Sequence, residues 1–426
     1  MPGTMISEEA NLNLYPQEKC EFPISPENQL TIGDLHGNAL KLLHLLIRHH
    51  ILDISCGHYQ AIVNIYYKEP EDITRDELDI FNLIISAATV TPDAGMVRLI
   101  GDILADRGQN DYFTLIILKT VTQKGIRVEI LLSNHDYEFI KNYENGQRFD
   151  QSEILKEQST SMYNLHMLIK RYLVEREAVD DIVKTFYIPC LKAVSYGLND
   201  DESCISIYSH APIGLSTILD MATKLGIAYD DSTPAALAST IDQINLFVAK
   251  NKITTLFIKK ESFILIDGEK YIRPKIDPFQ VAIWSRNHAI DRPPLHPQHG
   301  YGLNFIHGHD GQGPDEMHIA KLEARNKLGR PCFENKAYYS IFISQNKIRP
   351  HSKAIKEAAK QDILAEEKSE GPIPYPLPAP TKRHSKFFQK SSSRLQKTKK
   401  SVIEKPKRAP RAGWGCNPLC GTTAQF

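Results

Sequence analysis

Short apolar runs, each closing on a polar cluster, recur along the chain. Gln29–Gly33 leads into Asp34, His36 and Asn38, and Val97–Gly101 leads into Asp102. Arg127–Leu132 ends at Ser133, Asn134, His135 and Asp136, Ile205–Ser209 ends at His210, and Leu303–His307 ends at Gly308 and His309. Short runs rich in Ile, Leu and Val read as buried strands, because helices need longer stretches. The segments after the first two clusters keep a helical period and predict helices over 39–52 and 111–124. Strand, polar tip and helix in repetition is the pattern of an α/β fold. In such sheets the loops leaving the carboxyl ends of strands build the site. Five strand ends here each deliver His, Asp or Asn.

Between these runs, 141–190 and 215–250 are patterned as helical insertions, and 253–273 as a hairpin turning at Asp267 and Gly268. Ile355, Ala359 and Ile363 stand four apart within Ser352–Glu370, which predicts a helix packed on the body. GPIPYPLPAP (371–380) reads as an extended Pro-rich linker, and 381–426, rich in Lys, Ser and Thr, as a disordered basic tail. The expected organisation is an N-terminal extension (1–27), a catalytic domain (28–350), a helix (351–370), the linker and the tail. No repeat occurs at solenoid or propeller periods.

Composition changes this picture in one respect. The 426 residues carry no net charge, yet 381–426 holds 12 Lys/Arg against a single acid, Glu404. The rest of the chain has 39 of the 51 bases and 50 of the 51 acids, a net of −11. A solvated tail is the plainest reading of that segment. Phe387, Phe388 and Trp414 among the lysines suggest contact with an anionic membrane surface, and KTKK and KPKR suggest nucleic acid, the less favoured partner. Seven scattered cysteines, only Cys416 and Cys420 close together, predict free thiols in a reducing compartment. The N-terminus has neither the basic start nor the apolar core of a Sec-type signal, and no apolar run approaches the ~20 residues that span a bilayer. A soluble, cytoplasmic protein is expected.

The polar clusters carry the chemistry. Asp34 and His36, two apart on one loop, offer an oxygen and a nitrogen to the same ion. Asp102 has two carboxylate oxygens with which to bridge two ions, and Asn134, His210 and His309 complete the ligands of the second ion. Mixed His and carboxylate ligands suit Mn, Fe or Zn better than Ca. Two ions about 3.5–4 Å apart hold a bridging hydroxide as nucleophile, the pKa of bound water falling from ~16 toward ~7. His135 is expected to protonate the leaving oxygen, with Asp106 or Asp136 orienting its ring, and Arg107 and Arg286 to present forked donors to phosphate. His307 competes with His309 for the last ligand position. His44, His49 and His50 read as solvated or core-edge residues. Asp34 or Asn38 as a plain helix cap is the bland alternative, which five ordered clusters disfavour.

GDLHG (33–37), GD…DRG (101–108), NHD (134–136), SHAP (209–212) and GHD (308–310) resemble the ordered signature of the phosphoprotein phosphatase family of calcineurin-like metallophosphoesterases. Over about residues 28–345, the resemblance implies a β-sandwich flanked by helices and a dinuclear Mn/Fe-type centre. Its ligands would be Asp34, His36, Asp102, Asn134, His210 and His309, its proton donor His135, its supporting acid Asp106 and its phosphate-binding arginine Arg107. Trp284-Ser285-Arg286 matches a W-x-R stretch of bacterial members, which adds Arg286. The insertions and the wording ADRGQNDYFTL look most like Wip-type phosphatases that intracellular bacterial pathogens inject into host cells, so translocation into a host is implied. Three departures are visible: GDILADRG has one residue more than GD-x-x-DRG, SNHD stands for GNHE, and His-Ala-Pro for His-Gly-Gly. They bear on phosphate positioning rather than on metal binding. The expected function is hydrolysis of phosphomonoesters on Tyr or Ser/Thr side chains of a phosphorylated protein. The alternative is a small-molecule phosphoesterase such as a dinucleoside polyphosphate hydrolase. A catalytically silent module is disfavoured because all six ligand positions are filled.

Overall fold

Each of the five apolar runs forms a strand, and past its first residue none has an exposed position, as strands covered on both faces require. The computed structural model describes residues 3–16, 28–91, 95–146, 149, 158–257, 262–266, 269–273, 277–286, 290–309, 316–323 and 336–344. The chain divides into two units, Met1–Ser352 and Lys353–Phe426, and all described residues belong to the first. The expected helix at Ser352–Glu370, the linker and the basic tail lie outside the described residues.

The chain begins with β1 (Thr4–Asn11), β2 (Gln29–Ile32), α1 (Ala39–Arg48), β3 (Leu52–Asp53), α2 (Cys56–Tyr66), α3 (Arg75–Ala87), β4 (Thr89–Val90) and β5 (Met96–Leu99). It continues with α4 (Asp111–Gln123), β6 (Arg127–Leu131), α5 (Asn134–Glu144), α6 (Thr160–Lys170), α7 (Arg176–Ile182), β7 (Leu191–Lys192), β8 (Ser195–Leu198) and β9 (Cys204–Ser209). The last elements are α8 (Leu215–Leu225), α9 (Pro234–Lys250), α10 (Ile253–Leu256), β10 (Ser262–Ile266), β11 (Glu269–Arg273), α11 (Pro278–Trp284), β12 (Gly302–His307), β13 (Ile319–Lys321) and β14 (Lys336–Ser344).

Two sheets organise the fold. The larger has the order β1-β14-β2-β5-β6-β7, with β2, β5, β6 and β7 parallel. The smaller has the order β13-β12-β9-β8, with β13, β12 and β9 parallel. Side-chain alternation assigns the faces. Leu30, Ile32, Val97, Leu99, Val128 and Ile130 share a core with Leu43 and Leu46 of α1 and Phe113 and Ile117 of α4. The intervening residues face the smaller sheet. There Ile100, Leu131 and Phe342 meet Tyr208, Ile306, Ala320 and Leu322 in a second apolar cluster. The result is a β-sandwich flanked by helices, with its parallel strands ending at one edge.

Within the sandwich lies a buried ion pair. Arg98 is fully buried, and its five N–H groups all find acceptors: Ser195 Oγ at 2.9 Å, Gln29 Oε1 at 3.2 Å, Thr31 Oγ1 at 3.3 Å, Glu129 Oε2 at 3.3 Å and the Tyr196 carbonyl at 3.2 Å. Its guanidinium also lies 3.8 Å from the centre of the Tyr208 ring. Burial opposes the charge on Glu129, but Arg98, Arg127 and Lys192 more than offset it and hold its carboxyl down at about 2.

Three boundaries differ from the sequence reading. Residues 4–11, read as part of an extension, form the edge strand of the larger sheet, paired antiparallel with β14; their alternation is too polar to declare a strand. The first helix stops at Arg48 because His50 takes a left-handed backbone, φ 54°, after which β3 begins. The hairpin occupies 262–273 rather than 253–273, with Ile266 paired to Glu269. Residues 253–256 turn into α10 because the Glu144 carboxylate caps the Ile253 and Thr254 amides at 2.7 and 2.9 Å. The helical expectation for 215–250 is met by α8 and α9. In 141–190, α6 and α7 are followed by a π turn at Val183–Tyr187 and a 3₁₀ turn at Ile188–Cys190.

Candidate active site

Every strand-end cluster of the sequence reaches one edge of the sandwich. Asp34 follows β2, Asp102 follows β5, Asn134 opens α5 after β6, His210 follows β9 and His309 follows β12. His36, Asp102 and His309 all adopt left-handed backbones, with φ of 55°, 51° and 61°. Such conformations are uncommon outside glycine and gather at functional sites. Two motif glycines are required by close approach. A Cβ on Gly101 would lie 2.7 Å from His210 Nδ1, and one on Gly308 would lie 2.0 Å from Asp34 Oδ1.

The ligand-bearing atoms fall into overlapping groups, each within 4.8 Å: Asp102, His210 and His309; Asp34, His36 and Glu323; and His36, Asp102 and Asp106. Asp102 belongs to two of them, the position expected of a bridging carboxylate. The His210 ring stands with Nδ1 3.2 Å from the Ile100 carbonyl, to which it donates, and Nε2 2.9 Å from Asn134 Oδ1. Holding Nδ1–H on a carbonyl aims Nε2 into the site, the arrangement that orients metal-binding imidazoles. Burial lowers the His309 ring to about 4, so it is neutral near pH 7, and the charges of His210 and Arg286 push the same way.

The site tests well against divalent metal. Asp34 Oδ1, Asp102 Oδ1 and His309 Nε2 are buried and make no hydrogen bond among the described residues, although buried polar atoms normally find partners. Burial pushes the Asp34 carboxyl well above the usual range, and the Glu323 and Asp102 charges add to the effect. The His36 ring shows the converse: burial alone would lower it, but Glu323 and Asp106 bring it up to about 10. A field that favours a cation at this ring also favours a metal cation there. Carboxylate oxygens with imidazole nitrogens form a donor set suited to Mn, Fe or Zn.

The surrounding residues fall differently from the sequence reading in part. His135 Nδ1 donates to the Ala105 carbonyl at 2.8 Å, whereas Nε2 faces Asp106 Oδ1 at 3.7 Å, beyond hydrogen-bond range. The ring is therefore oriented by a backbone carbonyl, with Asp106 supplying charge at a distance. Asp106 is itself tied to His36 Nδ1 at 2.9 Å and to Arg107 Nε at 2.8 Å. Burial works against its charge, but His135, His36 and Arg107 hold its carboxyl well below the usual range.

Asp136 does not orient His135. It accepts from the amides of Ile103 and Leu104 (3.4 and 3.1 Å), from Ser133 Oγ (2.6 Å) and from Tyr187 OH (2.8 Å). Asp111 Oδ2 takes the Ala105 amide at 2.9 Å, and Ser161 Oγ takes the Asp106 amide at 3.0 Å. The lengthened GDILADRG loop, with φ positive at Asp102 and Ala105, is thus braced at four consecutive amides. Arg107 is half-buried beside His36, its Nη2 2.9 Å from Nδ1. Arg286 is exposed, near enough for its charge to act on His309. Trp284, 47% exposed, stands edge-on to the His309 ring at 6.1 Å.

Asn38 is the N-cap of α1, accepting from the Lys41 amide, whereas Asp34 binds the His309 amide at 2.6 Å. His307 turns Nδ1 to the Gly308 carbonyl and joins none of the ligand groups. His44 and His49 are buried and His50 is exposed. Glu323, just past β13, was missed because its strand is three residues long and carries no motif. Asp111, Ser161 and Tyr187 were missed because they act through loop amides or through Asp136. A further group, Asp231, His296 and His299, satisfies itself: His296 Nε2 meets Asp231 Oδ2 at 2.9 Å, and Nδ1 accepts the Gln298 and His299 amides.

A family model described as the WipA-like phosphatase domain matches residues 96–330. Among solved structures, the chain is similar to the phosphatase domain of the Legionella effector WipB, at 27% sequence identity and a TM-score of 0.56. That similarity covers 68% of this chain and 100% of the other. No curated protein matches the chain in sequence.

Proposed function

The chain belongs to the WipA-like phosphatase domain family, and on that premise we propose that it is a protein phosphatase working with two divalent ions, Mn foremost and Fe or Zn as alternatives. The observation that carries the reading is the convergence of two ligand groups on Asp102, with buried oxygen and nitrogen atoms left without partners. Asp34, His36 and Asp102 would hold one ion, and Asp102, Asn134, His210 and His309 the other. When bound, the ions supply Lewis-acid activation of water and neutralise phosphoryl charge.

The chain's own residues account for the remaining work. His135, its ring fixed through Nδ1–H on the Ala105 carbonyl, presents Nε2 as the proton donor to the leaving oxygen. Asp106 Oδ1 faces that nitrogen from 3.7 Å. Arg107, held by Asp106, and Arg286, at the exposed rim, present guanidinium donors to phosphate oxygens. The half-exposed Trp284 ring stands edge-on to His309 at 6.1 Å.

The substrate class is a phosphorylated protein side chain, Tyr or Ser/Thr. By likeness to the Legionella effector domain, the protein acts after delivery into a host cell. Among the described residues no helix is long and apolar enough to cross a membrane, and the basic 381–426 segment lies outside them.

Phosphate release from matched phosphotyrosine, phosphoserine and phosphothreonine peptides with Mn²⁺, for wild type and His135→Ala, tests the reading. Turnover lost in His135→Ala while the metal stays bound supports it, and the preferred peptide assigns specificity. A metal-loaded protein silent on every phosphopeptide overturns it in favour of a small phosphoester substrate.

A further inference from the structure

We propose that Glu323 is a ligand of the ion held by Asp34 and His36, which makes that position the oxygen-rich half of an asymmetric pair. The inference rests on the two-ion reading above and adds a residue that none of the sequence motifs contains. β13 lies parallel to β12 at the edge of the smaller sheet, with Lys321 paired to His307. Its carboxyl end is therefore a sixth strand end delivering a polar side chain to the same edge. Glu323 is only 4% exposed, and its Oε1 lies 3.3 Å from His36 Nε2. One carboxylate oxygen of Asp34, His36 Nε2 or Nδ1 and one oxygen of Glu323 lie within 4.8 Å of one another.

Two features separate a ligand from a mere hydrogen-bond acceptor. The 3.3 Å contact is long for a charge-assisted bond, which settles near 2.7–2.9 Å, while the Glu323 charge still favours a cation at the ring. Asp34, 1% exposed, points Oδ1 into the same space without a hydrogen-bond partner among the described residues. Two buried carboxylates brought together need a shared proton or a cation between them, and Mn²⁺ can supply the latter. Lys41, the buried amine nearby, donates to the Asp34 carbonyl, 2.6 Å away, and its charge also acts on Glu323.

With Glu323 included, the first position has oxygens from Asp34, Asp102 and Glu323 and one imidazole from His36. The second has two imidazoles, from His210 and His309, with oxygens from Asp102 and Asn134. Harder ions prefer the former and borderline ions the latter, so the two positions differ in metal preference.

The test is Mn²⁺ stoichiometry of the chelator-stripped full-length chain, by equilibrium dialysis with metal analysis and by electron paramagnetic resonance. The comparison is wild type, Glu323→Gln, Glu323→Asp and Asn134→Ala. Wild type is expected to bind two Mn²⁺ with a spin-coupled signal. Glu323→Gln, which keeps volume and a hydrogen-bond acceptor for His36, is expected to weaken one Mn²⁺ by about 10–100-fold and leave an uncoupled signal from the other. Glu323→Asp keeps the charge on a shorter arm and is expected to fall between the two, which covers the case in which the Gln variant fails to fold. Asn134→Ala is expected to weaken the opposite ion. Two Mn²⁺ with wild-type affinities and coupling in Glu323→Gln would overturn the inference and leave Glu323 as an acceptor for His36. Fewer than two Mn²⁺ in wild type would instead remove the two-ion reading on which it rests.

Discussion

Two buried charged clusters sit about one sandwich and obey opposite rules. Between the sheets, Arg98 places all five N–H groups on acceptors and Glu129 takes Arg98, Arg127 and Ser195. At the strand ends, Asp34 Oδ1, Asp102 Oδ1 and His309 Nε2 have no such partners among the described residues, and Asp34 is crowded by Glu323 and Asp102. Each cluster takes its residues from neighbouring strands. The first closes on itself and stabilises the packing of the two sheets; the second leaves ligand atoms without hydrogen-bond partners among the described residues. Burial and charge alone therefore do not mark a site, and neither does one unsatisfied buried atom, since both His49 ring nitrogens share that state; several ligand atoms within 4.8 Å of one another do.

The sharpest break in the comparison is Asp102→Asn. It should remove detectable phosphate release and lower Mn²⁺ occupancy at both positions. The unfolding midpoint of the metal-free chain should move less than in Arg98→Ala. His135→Ala should lower kcat by about 10²–10⁴ with Mn²⁺ content unchanged; equal metal loss in both variants would show the roles to be misassigned.

In the other cluster, Arg98→Ala leaves Glu129 buried without its main counter-charge and should cost about 3–5 kcal/mol in urea unfolding. Removing both charges, as Arg98→Met with Glu129→Leu, should recover most of that loss. No apolar replacement of Asp34 or Asp102 should recover activity. The folded Glu129 carboxyl titrates below its unfolded value of 4.5, at about 2. Its contribution is thus present above pH ~4.5 and lost as pH falls toward ~2. A wild-type urea midpoint that stays flat across that window would contradict the pairing. The smallest effect belongs to exposed Arg286: Arg286→Ala should raise KM about tenfold, the size of one charge-assisted contact, with metal content intact.

The residues of the candidate site were legible because each ends a short apolar run, and a run too short for a helix reads as a strand whose tip lies at a sheet edge. GDLHG, NHD and GHD could be read without coordinates for that reason. Glu323 follows a strand of three residues, Ile319–Lys321, too short to show a period, and its place beside His36 depends on which strand lies next to β12. Asp136 illustrates a second limit. Adjacency to His135 in sequence suggested a shared task, but in the first turn of α5 neighbouring side chains point in different directions. The carboxylate faces the Ile103 and Leu104 amides instead. The hairpin's late start at Ser262 has a comparable cause, since the cap from Glu144 that turns 253–256 helical is supplied from more than a hundred residues away.

By itself, then, the sequence determined the five strands that carry the polar tips, where those tips fall and which side chains are available as ligands, because these follow from local periodicity and residue chemistry. Only the tertiary structure decided that Arg98 and Glu129 are a closed pair while Asp34 and Asp102 are not. It also decided that His135 leans on the Ala105 carbonyl and that Glu323 joins the site. Partner satisfaction is a property of strand order and register, and no local pattern encodes which atoms will meet across two sheets.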